Sequence, residues 1–348
     1  MTVQILQGDC LEIMRGLPAN SIDCCVTSPP YWQLRDYGVD GQIGLEPDLE
    51  EYLEKILTVC REIHRLMKPA GTLWLNIGDT YANVGKWGGN TGGIHSKPLH
   101  GNKGLGRAKR DYGALKPKDL CLIPHRLVIA LQAEGWWVRS EIVWAKPNPM
   151  PESVTDRPAA SHEKIWLLTK SQENYYDYEA VRLPPAASTV RRLSQDIENQ
   201  NGSTRAHAGQ KSKPMKAVRR KDKQRGHGRR HAGFNDRWDA MKKTDQQAMG
   251  RALRNYEIAP PQVWEIATNT FREAHFATFP PELVERCVKA GCPVGGIVLD
   301  PFGGSGTTGL VADRLQRSAI LIELNPEYAD MARRRIHADN PLFAAITT

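Results

Sequence analysis

Six consecutive residues, Thr27-Ser28-Pro29-Pro30-Tyr31-Trp32, put hydroxyls, two imino acids and two aromatic rings into one turn. Consecutive prolines forbid a continuing β-ladder and hold the backbone extended, so the polar groups around them are fixed before a ligand arrives. Such a turn suits the activation of an amine attached to a heteroaromatic ring. That nitrogen is a poor nucleophile because its lone pair is delocalised, and acceptors that hold its two hydrogens localise the pair. Ser28 and the main-chain carbonyl of Pro29 supply the acceptors, and their preorganisation is the source of electrostatic catalysis. Tyr31 offers a face for stacking, worth roughly 1–3 kcal/mol per base. A Ser-Pro-Pro turn followed by aromatics can also be purely structural; its place right after an apolar run favours the chemical reading.

A second loop, Asp300-Pro301-Phe302-Gly303-Gly304-Ser305-Gly306-Thr307-Thr308-Gly309, contains the spacing Gly304-x-Gly306-x-x-Gly309. Glycine lets a backbone turn tightly and approach a ligand closely, which suits any nucleoside-bearing cofactor. A phosphate-cradling P-loop is excluded because no Gly-Lys-[Ser/Thr] ending follows. A dinucleotide-dependent dehydrogenase remains open for this loop taken alone. Glu323, at the end of the next apolar run, suits the two hydroxyls of a ribose. Asp9 can bind an adenine amino group or simply cap the helix that follows it.

The elements that must position these loops alternate along the chain. Residues 3–9 read as a strand and turn, 10–17 as a helix, and 21–26 as a buried strand running into Thr27. Between 48 and 67, Leu49, Tyr52, Leu53, Ile56, Leu57, Cys60, Ile63 and Leu66 have helical spacing, and Pro69-Ala70-Gly71 stops the pattern. Strands are expected at 72–77, 137–144, 164–169 and from Val263, with a helix near 124–134. A helix at 280–290, a strand at 295–300, a helix at 307–315, a strand at 318–323 and a helix at 326–336 complete the series. Strand–helix alternation predicts an α/β fold with a mostly parallel sheet covered on both faces, the Rossmann-like arrangement.

The chain has 348 residues, 40% hydrophobic and 25% charged, the balance of an ordinary globular protein, and no apolar run long enough to span a bilayer. The N-terminus shows no basic stretch followed by an apolar one, so a cytoplasmic protein without a secretory signal is expected. Seven cysteines without a C-x-x-C pair predict neither disulfides nor a metal site, and none follows a proline. The formal charge of +8 is localised. Residues 186–256 hold 18 Lys and Arg against 6 Asp and Glu, a net of +12, which leaves −4 for the rest. This hydrophilic segment reads either as a solvated basic linker or as a flexible grip on a phosphate backbone, and its localised charge favours the grip. Residues 83–113, rich in glycine, read as a mobile surface loop.

Together these motifs resemble the beta-class amino DNA methyltransferases, which place the catalytic motif first and the cofactor glycine motif last, a circularly permuted order. The similarity runs through residues 3–182 and 263–337. Gln7 to Cys10 is similar to that family's adenine-contacting segment, Thr27 to Trp32 to its catalytic motif, and Asp300 to Gly306 to its glycine loop. The segment from His275 to Phe279 and Pro280 resembles the one holding the methionine end of the cofactor. The resemblance implies S-adenosylmethionine as cofactor, held by Asp9, Thr27, His275, Phe279, Asp300, Pro301, Phe302, Gly304, Gly306 and Glu323, with no metal. It implies catalysis by Ser28, Pro29, Pro30 and Tyr31 on a base flipped out of DNA.

Within that family, serine before Pro-Pro-Tyr points to the amino nitrogen of cytosine and aspartate or asparagine to adenine. Adenine N6 is therefore the alternative, with RNA, a protein amide or a non-catalytic DNA-binding module more remote. Trp32, Lys146 and Asn148 are expected at the target base or DNA, and Arg229, Arg230 and Arg237 at the DNA within a target-recognition region. The expected organisation is a catalytic half at 1–182, a basic insertion at 183–262 and a cofactor half at 263–348. A homodimer and a cognate restriction endonuclease are the protein partners to look for.

Overall fold

A computed structural model describes residues 1–82, 111–149, 151–183, 260–268, 279–340 and 345–347. The chain divides into two compact units, Met1–Val181 with Pro261–Thr348, and Arg182–Pro260. Nearly all of the second lies outside the described residues, and with it Arg229, Arg230 and Arg237. His275 and the loop at 83–110 fall outside them as well.

The first unit is built on strands β1 (Thr2–Gln7), β2 (Ile22–Thr27), β3 (Met67–Ile77), β4 (Trp137–Ala145), β5 (His162–Thr169), β6 (Val263–Glu265), β7 (Ile297–Asp300), β8 (Ser318–Glu323) and β9 (Ala345–Thr347). They form one nine-stranded sheet in the order β6-β4-β5-β3-β2-β7-β8-β1-β9. Every pairing is parallel except those of β5 with β3 and with β4. The helices are α1 (Cys10–Gly16), α2 (Leu49–Leu66), α3 (Ile123–Ala133), α4 (Pro281–Gly291), α5 (Thr307–Arg314) and α6 (Pro326–Asp339).

Period-two alternation along the strands sorts side chains onto two cores. On one face Cys25, Leu73, Leu75, Trp166 and Leu168 pack against α1, α2 and α3. On the other Cys24, Val26, Trp74, Ile165 and Leu167 pack against α4, α5 and α6. All eight apolar positions that gave α2 its helical spacing are buried, and Asp48 starts the helix by accepting the N–H groups of Glu50 and Glu51. All seven cysteines are buried and free, acting as small hydrophobes.

Two elements depart from the sequence expectation. Strand β3 begins at Met67, ahead of Pro69-Ala70-Gly71, because a register shift opposite Ile22 and Cys24 absorbs those residues in the ladder. Strand β9, at a position with no predicted element, pairs in parallel with β1 at the sheet edge.

The topology decides where chemistry can sit. From β2 the chain crosses to β3 on one side, and from β7 it crosses to β8 on the other, so neighbouring β2 and β7 form the switch point of the sheet. In open α/β sheets ligands bind in the crevice beyond the carboxyl ends of the strands at that point. Both motif loops begin there: Ser28 follows the last residue of β2 and Pro301 the last residue of β7.

Candidate active site

Asp300 ends β7 and is 3% exposed. Its Oδ1 accepts from Thr27 Oγ1 at 2.8 Å and from the Phe302 N–H at 3.1 Å, and its Oδ2 accepts from Thr308 Oγ1 at 2.6 Å. Burial raises its pKa, and these three donors pull against the rise. The carboxylate therefore works as a knot: it ties the base of the catalytic turn to the base of the glycine loop and to the start of α5.

Beyond the knot the glycines do different work. Gly306 is the residue before α5, with φ +78°, and a Cβ there would lie 2.8 Å from Ala332 Cβ on α6. It is needed for close packing. Gly304 also has positive φ, at +50°, but a Cβ there would meet nothing nearer than a carbonyl oxygen at 3.9 Å. Its open side faces away from the protein atoms, which suits the approach of a ligand. The Gly304 N–H donates to Glu323 Oε2 at 2.7 Å, and the Asn325 N–H donates to Oε1 at 2.8 Å. Each carboxylate oxygen can accept more than one hydrogen bond, so Glu323 retains accepting capacity for a vicinal diol. Burial raises its pKa, opposed by the main-chain N–H groups of Asn325, Gly304 and Leu324.

Asp9 caps α1, its Oδ1 accepting from the N–H groups of Leu11 and Glu12 at 2.9 and 3.0 Å. The capping alternative thus describes Oδ1. Pro301 is buried, Phe302 is half-buried against the core beside α1 to α3, and Phe279 is half-buried against the opposite core just before α4. Arg335, from α6, braces the glycine loop through the Ser305 carbonyl and the hydroxyls of Ser305 and Thr307.

In the catalytic turn Thr27 and Pro29 are buried while Ser28, Pro30 and Tyr31 are half-buried. The Pro30 carbonyl accepts from the buried Tyr52 hydroxyl at 2.8 Å, which anchors the turn onto α2. Trp32 corrects the sequence expectation. At 2% exposure it has no face for DNA; its indole N–H donates to the Glu46 carbonyl at 2.8 Å, and its ring packs on Tyr52 and Tyr112. Tryptophan in this position supports the turn from beneath.

Tyr31 is held by its ring and by its hydroxyl. Its ring lies against Gly78, where a Cβ would fall 2.4 Å from Cε2. Its single hydroxyl hydrogen faces Glu163 Oε2 at 2.6 Å and Asn76 Oδ1 at 3.1 Å. Burial pushes the phenol well above its usual range, the Glu163 charge adds to the rise and Ser28 opposes it, so Tyr31 stays protonated and donates. Glu163 Oε1 in turn pairs with Lys146, whose ammonium sits 4.5 Å from the centre of the Trp144 ring.

Glu163 and Asn76 were absent from the sequence expectation. Glu163 is the second residue of β5, between His162 and Lys164, and in sequence it looks like a solvated strand end; only the β3–β5 pairing carries it to Tyr31. Lys146 does reach the catalytic turn, through Glu163. Asn148, expected beside it, spends its amide on the backbone of Thr268, donating to the carbonyl at 3.2 Å and accepting the N–H at 3.0 Å. It ties two connections together.

The fold sets the glycine loop and the Thr27–Trp32 turn side by side at the switch point of an α/β sheet. A sequence profile described as DNA methylase, N6_N4_Mtase, matches residues 22–334. The type II methyltransferase M.Cfr9I of Citrobacter freundii is 40% identical over 97% of this chain and 88% of its own length. M.SmaI of Serratia marcescens is 38% identical over 96% of this chain and 90% of its own. Among solved structures, the cytosine-N4-specific PvuII DNA methyltransferase aligns with a TM-score of 0.56 at 18% identity, over 97% of this chain and 92% of that one. The DNA modification methylase TTHA0409 of Thermus thermophilus, complexed with S-adenosyl-L-methionine, gives 0.54 at 22% identity over the whole of both chains.

The chain belongs to the N6/N4 DNA methylase family. Its cofactor is accordingly S-adenosylmethionine, and the residues present fit that molecule: an open glycine, and a strand-end carboxylate with accepting capacity to spare.

Proposed function

We propose that this DNA methyltransferase acts on the exocyclic amino nitrogen of cytosine, and that Ser28 carries the choice. The observation behind this reading is serine, where aspartate or asparagine would favour adenine, directly before Pro29-Pro30-Tyr31. A base inside a duplex is out of reach of this turn. Extrusion costs about a few kcal/mol and is offset by stacking on Tyr31. Ser28 Oγ and the Pro29 carbonyl then accept the two amino hydrogens and localise the lone pair, and the proton released after transfer passes to water, directly or relayed through the Ser28 hydroxyl.

When bound, S-adenosylmethionine supplies an electrophilic methyl group on a sulfonium. Glu323 would accept the ribose hydroxyls, Gly304 would leave room for the nucleoside, and Asp9 would offer Oδ2 to the adenine amino group. Asp300 positions these groups without needing to touch the cofactor. Residues 183–262 are proposed to be the target-recognition region, with Arg229, Arg230 and Arg237 contacting DNA; phosphate contacts give affinity and base-edge contacts give specificity. The relatives' designation as type II methyltransferases supports a cytoplasmic role in protecting DNA from a cognate restriction endonuclease.

The experiment is to incubate the protein with unmethylated genomic DNA and S-adenosylmethionine, digest the DNA to nucleosides and identify the product by mass spectrometry. N4-methyldeoxycytidine is expected. N6-methyldeoxyadenosine would refute the assignment to Ser28 while leaving the amine chemistry of the turn in place.

A further inference from the structure

Four separate strand ends meet at one carboxylate. Glu163 is the second residue of β5, Asn76 lies near the end of β3, Lys146 follows β4 and Tyr31 follows β2; Glu163 Oε2 takes the Tyr31 hydroxyl at 2.6 Å and the Asn76 amide at 3.2 Å, while Oε1 takes Lys146. The Asn76 amide also donates to the Lys164 carbonyl at 3.0 Å, so the cluster is stitched to the β5 backbone.

The side chains of Glu163 and Lys146 are only 20% and 19% exposed. Taking such a pair largely out of water is costly, and an apolar wall of similar volume often serves stability as well or better. What an apolar wall cannot do is fix a phenol by a short, directional, charge-assisted hydrogen bond. One flank of the ring, at Cδ2, Cε2 and Cζ, has little slack, because it rests on the bare α-carbon of Gly78. A ring clamped between a glycine and a carboxylate has one position.

We infer that Glu163 is a positioning residue for methyl transfer: it acts through the Tyr31 hydroxyl to set the face on which the extruded base stacks, with Lys146 and Asn76 holding the carboxylate. This rests on the reading of Tyr31 as the stacking platform. It holds for a cytosine or an adenine target alike.

The test uses the full-length protein in excess over unmethylated genomic DNA, following transfer of the tritiated methyl group of S-adenosylmethionine in a single turnover. Cofactor affinity by calorimetry and thermal unfolding are recorded in parallel. Glu163→Gln is expected to slow transfer about tenfold to a hundredfold, the scale of a small misplacement at a reacting centre, with cofactor affinity unchanged. Tyr31→Phe is expected to slow it at least as much, and the double variant to be no slower than Tyr31→Phe alone, because both act on the same bond, one by removing the charge on its acceptor and the other by removing its donor. A role in stability alone would lower the unfolding temperature and leave the two effects on rate independent.

Should Glu163→Gln fail to fold with Lys146 left unpaired, Glu163→Leu with Lys146→Met removes both charges together, and the same slowing is expected. Transfer at the wild-type rate in a folded Glu163 variant, or effects that multiply with Tyr31→Phe, overturns the inference. Wild-type protein that methylates no DNA instead removes the platform reading, and the inference with it.

Discussion

The two halves of the active site are built in opposite ways. Most of the cofactor half comes from one continuous stretch, β7 through the start of α6, with Asp9 added from the end of β1, and its key contacts are main-chain N–H groups of Gly304 and Asn325 turned onto a single carboxylate, Glu323. The target half is assembled from the ends of β2, β3, β4 and β5, and its contacts run side chain to side chain through Tyr31, Asn76, Lys146 and Glu163. A continuous loop can be written as a motif. A wall gathered from four strands exists only once the sheet has formed. Asp300 joins the halves, since it holds Thr27 of one and Phe302 and Thr308 of the other.

Breaking that knot should be the most damaging change. Asp300→Ala leaves two hydroxyls and an N–H without their acceptor in a buried site, at roughly 1–3 kcal/mol for each. A fall in stability of at least about 3 kcal/mol in denaturant titration is expected, together with loss of both cofactor binding and methyl transfer. Loss of only one of those functions would show that the halves are not coupled through this carboxylate.

Glu323→Ala should affect the cofactor half by itself. Two charge-assisted hydrogen bonds to a ribose, at roughly 1.5–3 kcal/mol each, correspond to a rise in cofactor Kd of about a hundredfold or more, measurable by calorimetry. Acidification should do the same more gently. The Glu323 pKa is raised by burial, and that of Asp300 moves in the same direction, so proton uptake starts above the ordinary carboxylate value of about 4.3. A protonated carboxyl cannot accept on both oxygens as the carboxylate does, and cofactor affinity should therefore fall as pH falls. Calorimetry between pH 8 and about 5 checks this; affinity that is flat or rises on acidification contradicts it.

The smallest effect is expected at Asn148. With its amide on the Thr268 backbone, Asn148→Ala should cost about 1 kcal/mol of stability and change the methylation rate by less than about threefold. A tenfold loss of rate at unchanged stability would return this residue to the target base.

What was legible in the sequence follows the same division. The helical spacing of α2, the capping Asp9 and the order of strands and helices are local properties, and period and propensity carry them. The glycine loop is local too, although sequence could not separate Gly306, which packs on Ala332, from Gly304, which opens outward. Trp32 shows the limit: an aromatic after Pro-Pro-Tyr reads as a contact for a base until Tyr52 and Tyr112, far along the chain, close over it. Glu163 shows the converse, a carboxylate at a strand end whose meaning depends on which strand lies next to it. Strand β9 is a three-residue edge element recruited by pairing with β1, too short for a periodic signal.

The separation of the two halves is tested most directly by Ser28→Ala, assayed for cofactor binding by calorimetry and for methyl transfer to DNA in a single turnover. Ser28 lies in the target half, and removal of one preorganised acceptor is expected to slow transfer about a hundredfold to a thousandfold while leaving the Kd for S-adenosylmethionine within about twofold of wild type. Transfer at the wild-type rate would contradict the role given to this hydroxyl, and a large loss of cofactor affinity would contradict the division of the site.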